Sequence, residues 1–346
     1  MEKLIRIGVD TSKSVFQLHG VNVLEQPVLR RKLHRREVVP YFSKLEPTVI
    51  GIEACGCSHY WARTLRELGH EVRLIAPQHA KAYVRRNKND AADAEALCEA
   101  MSRPRMNFVA AKSAEEQAAL MLAGMRRRLI KMRTQLANAI RSYAAEFGLF
   151  AAKGLGRIEP LLEQAAVDQT LPELARQLFA LQAGEYAKLD AELREVEAKL
   201  RAWHRDSEVS RRIAEVPGIG PIGGTRIAMK KPDAMACRSA RHYSAWIGLT
   251  AKDHSTAGKL RLGGITRAGD PELRSLLVAG AMAVIRHAEN HPERASPWLL
   301  DLLKRKPRKL AAVALANKNA RIAWKLMKTG GRYNPNHPRP EAAKAA

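Results

Sequence analysis

The hydrophobic pattern of this chain changes its period partway along, and that change limits the folds open to it. Up to about residue 106, short apolar runs alternate with amphipathic ones, as in a sheet with helices on its faces. The pattern predicts strands at 4–10, 14–22, 27–33, 48–53 and 71–76, and helices at 36–45, 58–69 and 78–103. We therefore expect an α/β domain with a mixed sheet over residues 1–106.

Beyond this point apolar residues recur at steps of three and four, which predicts long helices. One stripe runs from Leu122 to Phe147 and a second from Tyr186 to Trp203, with a glycine-rich break at 148–156. We expect paired coiled-coil helices over 107–207, a mostly helical unit over 208–330 and a loose tail over 331–346. The stripes either pack only on each other or also join copies of the chain. The length of the first favours a homo-oligomer, a dimer or tetramer.

Four carboxylates in the first domain are candidate metal ligands. Asp10 and Glu53 each end an apolar run, and Asp90 and Asp93 lie three apart in a helical pattern. Each acid alone has an ordinary explanation as a strand end or a helix N-terminal acid. Three strands followed by alternating helix and strand is the RNase H-like order, however, and that fold gathers such acids around Mg²⁺. Hard oxygen ligands of this kind support phosphoryl transfer, so we predict a Mg²⁺ site.

The charge balance predicts a polyanionic partner. The 346 residues carry a formal net charge of +24. Binding of so basic a chain to nucleic acid releases counterions from the phosphates. The four cysteines, Cys55, Cys57, Cys98 and Cys237, are too few for a disulfide framework. No leader-like segment or long apolar run is present, so we expect a cytoplasmic protein.

The segment 216–220 reads Val-Pro-Gly-Ile-Gly between two helical patterns, which is typical of a helix-hairpin-helix. The glycines Gly218 and Gly220 let backbone N–H groups approach a phosphate, and the next helix adds its positive N-terminal end. A plain tight turn between two helices is the alternative. The pattern predicts a contact to nucleic-acid phosphate.

A second candidate contact is the loop at 248–264, which is rich in glycine, hydroxyl groups and cations. It contains Ser255, with Lys259 and Arg261 close by. The cations can surround a phosphate. From the residues alone, Ser255 is most simply a turn hydroxyl bonded to local backbone. As a nucleophile it requires removal of its proton or stabilisation of its oxyanion.

Several motifs together resemble one family. They are Gly-Val-Asp-Thr-Ser-Lys at 8–13, Ile-Glu-Ala-Cys-Gly at 52–56, Arg-Asn-Lys-Asn-Asp-Ala-Ala-Asp at 86–93, the 216–220 segment and His-Ser-Thr-Ala-Gly-Lys at 254–259. In this order they are similar to the DEDD transposases of the bacterial insertion sequence 110 family, 1111 subgroup. The family loop usually reads Ser-Ser-Gly-Gly after the histidine, whereas this chain has Ser255-Thr256-Ala257-Gly258.

The resemblance implies a RuvC-like N-terminal domain, a coiled-coil middle and a C-terminal transposase domain. It implies recombination of donor and target DNA, guided by a structured non-coding bridge RNA, in a bacterial nucleoid-associated protein. The catalytic positions that match are Asp10, Glu53, Asp90, Asp93 and Ser255. Ser255 becomes the nucleophile of a phosphoserine intermediate, which conserves the phosphodiester bond energy without ATP.

Three other functions use the same residues differently. A RuvC-like metal-dependent nuclease or Holliday-junction resolvase uses the four acids with water and leaves Ser255 without a catalytic role. A non-catalytic nucleic-acid-binding protein uses the acids for fold stability. A sugar-kinase-like ATPase shares the early aspartate, but it requires a duplicated sheet that the sequence does not predict.

Overall fold

The computed structural model describes residues 3–84 and 89–335. The chain forms two compact units, one made of Met1–Gln117 with Lys230–Tyr243 and the other of Ala118–Met229 with Ser244–Ala346. The motif residues 86–88 and most of the expected tail lie outside the described residues. None of the helices in the described ranges is long and apolar enough to cross a membrane.

The first unit is built on a six-stranded sheet whose order is β3-β2-β1-β4-β5-β6. Strands β1, β4 and β5 are parallel, and the pairs β1–β2, β2–β3 and β5–β6 are antiparallel. The six strands are β1 Leu4–Thr11, β2 Val15–Asn22, β3 Pro27–His34, β4 Val49–Glu53, β5 Glu71–Ile75 and β6 Phe108–Val109. The mixed sheet predicted from the sequence is confirmed, and β6 is a short strand that the pattern did not predict.

Helices cover both faces of this sheet. They are α1 Val38–Phe42, α2 Ser58–Glu67, α3 Pro77–Ala80 and α4 Asp90–Met101. Residues of α1 and α2 pack on one face, where Ile7, Val9, Phe16 and Trp61 belong to a buried core. On the other face α4 comes so close that a Cβ on Gly8 would lie 2.1 Å from the carbonyl oxygen of Ala94. Glycine at this position therefore allows α4 to pack directly on the sheet.

Two long antiparallel helices begin the second unit. They are α5 Ala114–Glu146 and α7 Glu173–Asp206, with the shorter α6 Ile158–Val167 between them. Buried leucines of α7 pack against Leu129 of α5, and Arg126 pairs with Glu197 at 2.7 Å. The two predicted stripes thus pack on each other, at least in part.

The rest of the chain is mostly helical. Its helices are α8 Glu208–Ala214, α9 Pro221–Met229, α10 Lys231–Met235, α11 Ala240–Trp246, α12 Pro271–Asn290, α13 Pro297–Arg305 and α14 Arg308–Thr329. The loop after α11 contains two short antiparallel strands, β7 Ala251–Asp253 and β8 Leu262–Ile265, which the sequence did not predict.

Helix α10 belongs to the first unit although it lies far along the chain. Its Asp233 forms an ion pair with Lys112 at 2.9 Å, and both side chains are almost fully buried. Lys230 pairs with the same carboxylate at 3.6 Å. This division differs from the expected domains at 107–207 and 208–330, because most of α5 to α9 groups with α12 to α14 while 230–243 groups with the N-terminal residues.

Candidate active site

The acidic residues predicted from the sequence lie on the sheet face that α4 covers. In the parallel pair β1–β4, Gly8 lies opposite Gly51. Asp10 and Glu53 each come two residues later, so they lie beside each other on the same sheet face as these glycines. Gly8 and Gly51 both lie against α4. The same helix carries Asp90 and Asp93 in its first turn.

The four carboxylates act on one another electrostatically. Burial, the largest effect, and the negative charges of Asp93, Asp90 and Glu53, in that order, together raise the pKa of the Asp10 carboxyl to about 6. Glu53 and Asp93 also line one cavity of about 470 Å³ beside α3. The structure therefore brings all four predicted acids into one electrostatic site.

The fit of this site to a divalent cation rests on its charge and its donor atoms. Within residues 3–84 and 89–335, no three His, Cys, Asp or Glu side chains form a closed ligand set. Beside burial, the larger cause, repulsion by the negative charges of the other three carboxylates nevertheless raises the pKa of Asp10. A cation among them removes that repulsion, and Mg²⁺ commonly takes one or two carboxylates and keeps several waters. The residues present thus fit a hydrated divalent cation better than a fully protein-enclosed one.

Ser255 lies in a tight hairpin of the second unit. Thr256 and Lys259 form a bridge pair across its tip, and the two residues between them, Ala257 and Gly258, have φ values of +47° and +75°. Two-residue hairpin turns with both central residues at positive φ match the strand twist. Ala257 adopts this conformation despite its Cβ, so the departure from the family's Gly-Gly leaves a regular turn.

The Ser255 side chain is held by local hydrogen bonds. The Arg261 N–H donates to Ser255 Oγ at 3.0 Å, and the Ser255 N–H donates to Asp253 Oδ1 at 2.8 Å. Hydrogen bonds from the Ser255 side chain and backbone also lower the pKa of the Asp253 carboxyl. Sequence reasoning missed Asp253, although an Asp two residues before a turn residue is a recognisable signal.

The two glycines of the 216–220 turn have different surroundings. Gly218 has φ +88°, and a Cβ there would lie 2.9 Å from the carbonyl oxygen of Gly280 in α12. The carbonyl of Pro217 accepts a hydrogen bond from Asn319 at 2.8 Å. The glycine at 218 is therefore required by a contact within the protein. Gly220 is exposed at the start of α9 and has open space around it.

Lys259 and Arg261, predicted to contact phosphate, are both exposed in the Ser255 hairpin. Neither side chain forms an ion pair with an acid among the described residues. Ser255, Lys259 and Arg261 thus lie together in the second unit, and the four acids lie together in the first.

Comparison with known proteins gives matches in both the N-terminal and the C-terminal part of the chain. A DEDD transposase model of the IS110 type matches residues 7–147, and a model described as "Transposase IS116/IS110/IS902 family" matches residues 210–296. A relative from Sinorhizobium fredii, provisionally named transposase y4pF/y4sB, is 62% identical over 334 residues, covering 96% of this chain and 86% of its own.

Two further relatives are transposases of named insertion sequence elements. That of IS1111A from Coxiella burnetii is 37% identical and covers 94% of this chain and 90% of its own. That of IS1328 from Yersinia enterocolitica is 34% identical, and the match covers 95% of this chain and 98% of the relative. A DEDD-type domain implies the use of a divalent metal, and a transposase implies DNA substrates. The chain therefore belongs to the IS110/IS116/IS902 family of DEDD transposases, enzymes that move insertion sequences.

Proposed function

We propose that this transposase cuts and rejoins donor and target DNA through a phosphoserine intermediate, with Mg²⁺ as its metal and a structured bridge RNA as its guide. The observation that carries the proposal is the shared electrostatic site of Asp10, Glu53, Asp90 and Asp93. The likeness of the N-terminal domain to a RuvC-like, RNase H-like domain rests on the strand order and on these acids.

The four carboxylates would hold the cation, which would supply positive charge to the phosphate oxygens. Asp10 and Glu53 come from neighbouring parallel strands, and Asp93 and Asp90 come from the helix packed over them. Because the ligands belong to three separate elements, correct packing of α4 on Gly8 and Gly51 sets their arrangement. Loss of any one acid leaves an incomplete ligand set, so each is required for cleavage.

Ser255 performs the covalent step. Its Oγ forms a bond to the DNA phosphorus as the bond from phosphorus to one deoxyribose oxygen breaks, and that oxygen leaves as a hydroxyl. The serine proton passes to water, and water returns a proton to the departing deoxyribose oxygen. Asp253 orients the hydroxyl and is a poor base, because hydrogen bonds lower the pKa of its carboxyl. Attack on the phosphoserine by a hydroxyl from another strand reverses the step and rejoins the DNA.

The partners follow from charge and family likeness. A net charge of +24 favours nucleic acids, and Gly220, Lys259 and Arg261 are exposed where they can contact phosphate. Guidance by a bridge RNA is proposed from the family resemblance. So are a homo-oligomer, a cytoplasmic location and association with the nucleoid.

A second candidate function is a RuvC-like nuclease or Holliday-junction resolvase that uses water. One observation favours it: Ser255 Oγ accepts a hydrogen bond from the Arg261 N–H, as an ordinary turn hydroxyl does. In that case the DNA ends are released free and no protein–DNA bond forms.

The covalent adduct distinguishes the two functions. Full-length protein is incubated with labelled DNA, guide RNA and Mg²⁺ and run on a denaturing gel. We expect an adduct with the wild type and with Thr256→Ala, and none with Ser255→Ala, although that variant still binds both nucleic acids. An adduct lost only in Thr256→Ala moves the nucleophile by one residue. Free cleaved ends without any adduct support the nuclease.

A further inference from the structure

A row of paired residues extends from the carboxylates to the open edge of the sheet. Asp10 of β1 pairs with Gln17 of β2, and Gln17 pairs with Lys32 of β3. Directly paired residues of neighbouring strands project from the same face. Gln17 and Lys32 therefore lie on the same face as Asp10 and Glu53. Arg30, two residues from Lys32, shares that face.

The same residues line a groove at this edge. A cavity of about 380 Å³ is lined by Gln17, Arg30 and Lys32 on the sheet side and by Asn89, Ala92 and Glu95 on the side of α4. Strand β3 is the edge strand of the sheet, and the side chains of Arg30 and Lys32 are exposed. The groove is thus open to solvent at one end.

The charge of the groove suits a polyanion. Among the residues that the structure describes, neither Arg30 nor Lys32 forms an ion pair with an acid. Glu95 contributes one negative charge to the lining, and Arg31 lines the groove as well, so the cations leave the groove net positive. Lys, Arg and amide side chains are common donors to phosphate and sugar oxygens.

The spacing between strands places these cations near the carboxylates but too far away to pair with them. Neighbouring strands lie roughly 4.8 Å apart, so the backbone of Lys32 is about 10 Å from that of Asp10. A DNA strand that approaches four carboxylates meets like charge, which opposes its binding. Cations two strands away, on β3, offset that repulsion by attracting a neighbouring phosphate of the same DNA strand.

We propose that Arg30 and Lys32, with Gln17, bind the phosphate backbone of the DNA strand that enters the carboxylate site. This inference rests on the proposed function, because the groove adjoins acids assigned there to DNA cleavage. It commits to DNA as the occupant for the same reason. These are binding residues that hold the strand in place beside the site.

Binding of labelled single-stranded DNA tests the proposal without any cleavage. Affinity is measured for the full-length protein in EDTA over a series of salt concentrations. The double variant Arg30→Gln/Lys32→Gln is compared with Lys32→Arg and with Arg36→Gln. Arg36 is the matched control, because it is also exposed near β3 but lines a separate cavity with Leu33, Pro40 and Tyr41.

We expect the double variant to bind several-fold more weakly. The slope of log K against log salt becomes shallower by about 0.7 for each lost phosphate contact. Lys32→Arg and Arg36→Gln keep the wild-type slope. Thermal unfolding of each variant identifies any that is misfolded, and Lys32→Gln alone then replaces the double variant.

Three results overturn the proposal: wild-type affinity and slope in the double variant, an equal loss in Arg36→Gln, or a loss confined to RNA of the same sequence. The last result assigns the groove to RNA. Failure of the proposed function appears separately, as wild-type protein that forms no adduct with the labelled DNA.

Discussion

At the scale of single residues, the contact between Gly218 and Gly280 is highly sensitive to substitution. A Cβ on Gly280 would lie 1.7 Å from the carbonyl oxygen of Gly218, which is backbone and cannot rotate away. Gly280→Ala therefore forces α12 from the turn. We expect it to lower the free energy of unfolding by about 1–3 kcal/mol or more, as overpacking does, measured by urea denaturation.

Gly184 in α7 is the matched control for that substitution. It also lies inside a long helix, but a Cβ there meets nothing within 4 Å. Since alanine is the better helix former by roughly 0.8–1 kcal/mol, Gly184→Ala is expected to raise the stability slightly. Equal effects of the two substitutions contradict the contact between α12 and the turn.

His59 gives the first unit a pH dependence. Burial, the largest effect, and the charge of Lys112 lower the pKa of His59 to about 4, and its Nδ1 accepts the Lys112 N–H at 3.2 Å. The unfolded histidine takes up its proton near pH 6.5. The neutral ring thus contributes stability above pH 6.5, and that contribution is lost as the pH falls from 6.5 to 4.

We expect His59→Asn to flatten the stability profile over that interval, because Asn does not titrate there and its Oδ1 can accept the same hydrogen bond. The check is urea denaturation of both proteins at pH 7.5 and 5. If the free energy of unfolding falls equally in wild type and variant between pH 7.5 and 5, the pH dependence comes from other groups.

Residue-level prediction from the sequence depended on local signals. Asp10 and Glu53 could be found because neighbouring parallel strands end at one edge of the sheet. The row from Asp10 to Lys32 depends on antiparallel register, which the sequence pattern does not specify. Asp253 was missed because its role depends on a hairpin that the glycine-rich loop did not predict.

At the scale of elements, α10 shows what a linear reading of the sequence misses. Helices α5 and α7 were predicted from their periodicity and both form, although α7 begins at Glu173, well before the stripe that starts at Tyr186. Nothing in the pattern of residues 230–243 places them with the N-terminal sheet. That placement depends on the buried pair Lys112–Asp233, whose partners are 121 residues apart in the sequence.

Asp233→Asn tests the importance of this pair. It leaves the Lys112 ammonium buried with no compensating charge, beside the cationic Lys230. Breaking a buried pair by removing one partner typically costs about 3–5 kcal/mol. We expect a loss of that size in urea denaturation. Glu195→Gln, which breaks the exposed pair with Lys199, serves as the control and should change little. Wild-type stability of Asp233→Asn contradicts the role given to the pair.

At the scale of the whole molecule, the first stripe of α5 divides between two surfaces. Leu129 is only 1% exposed and packs against α7 within the chain. Met125 and Met132 of the stripe are each 39% exposed, and Met121, just before the stripe begins, is 66% exposed. Their spacing of four and seven residues puts them on one side of the helix. Proposed oligomer contacts therefore belong to this methionine stripe, and not to Leu129.

The double variant Met125→Glu/Met132→Glu tests the stripe as an oligomer interface. Two charges on a face that is exposed in the single chain cost little in its fold, whereas burying them between copies is unfavourable. We expect a smaller mass by multi-angle light scattering, a melting temperature close to that of the wild type, and loss of recombination. Leu129→Glu is the contrasting variant, because it places a charge inside the α5–α7 core and is expected to unfold the protein. If the double variant keeps both the wild-type mass and its activity, copies of the chain do not associate through the methionine stripe.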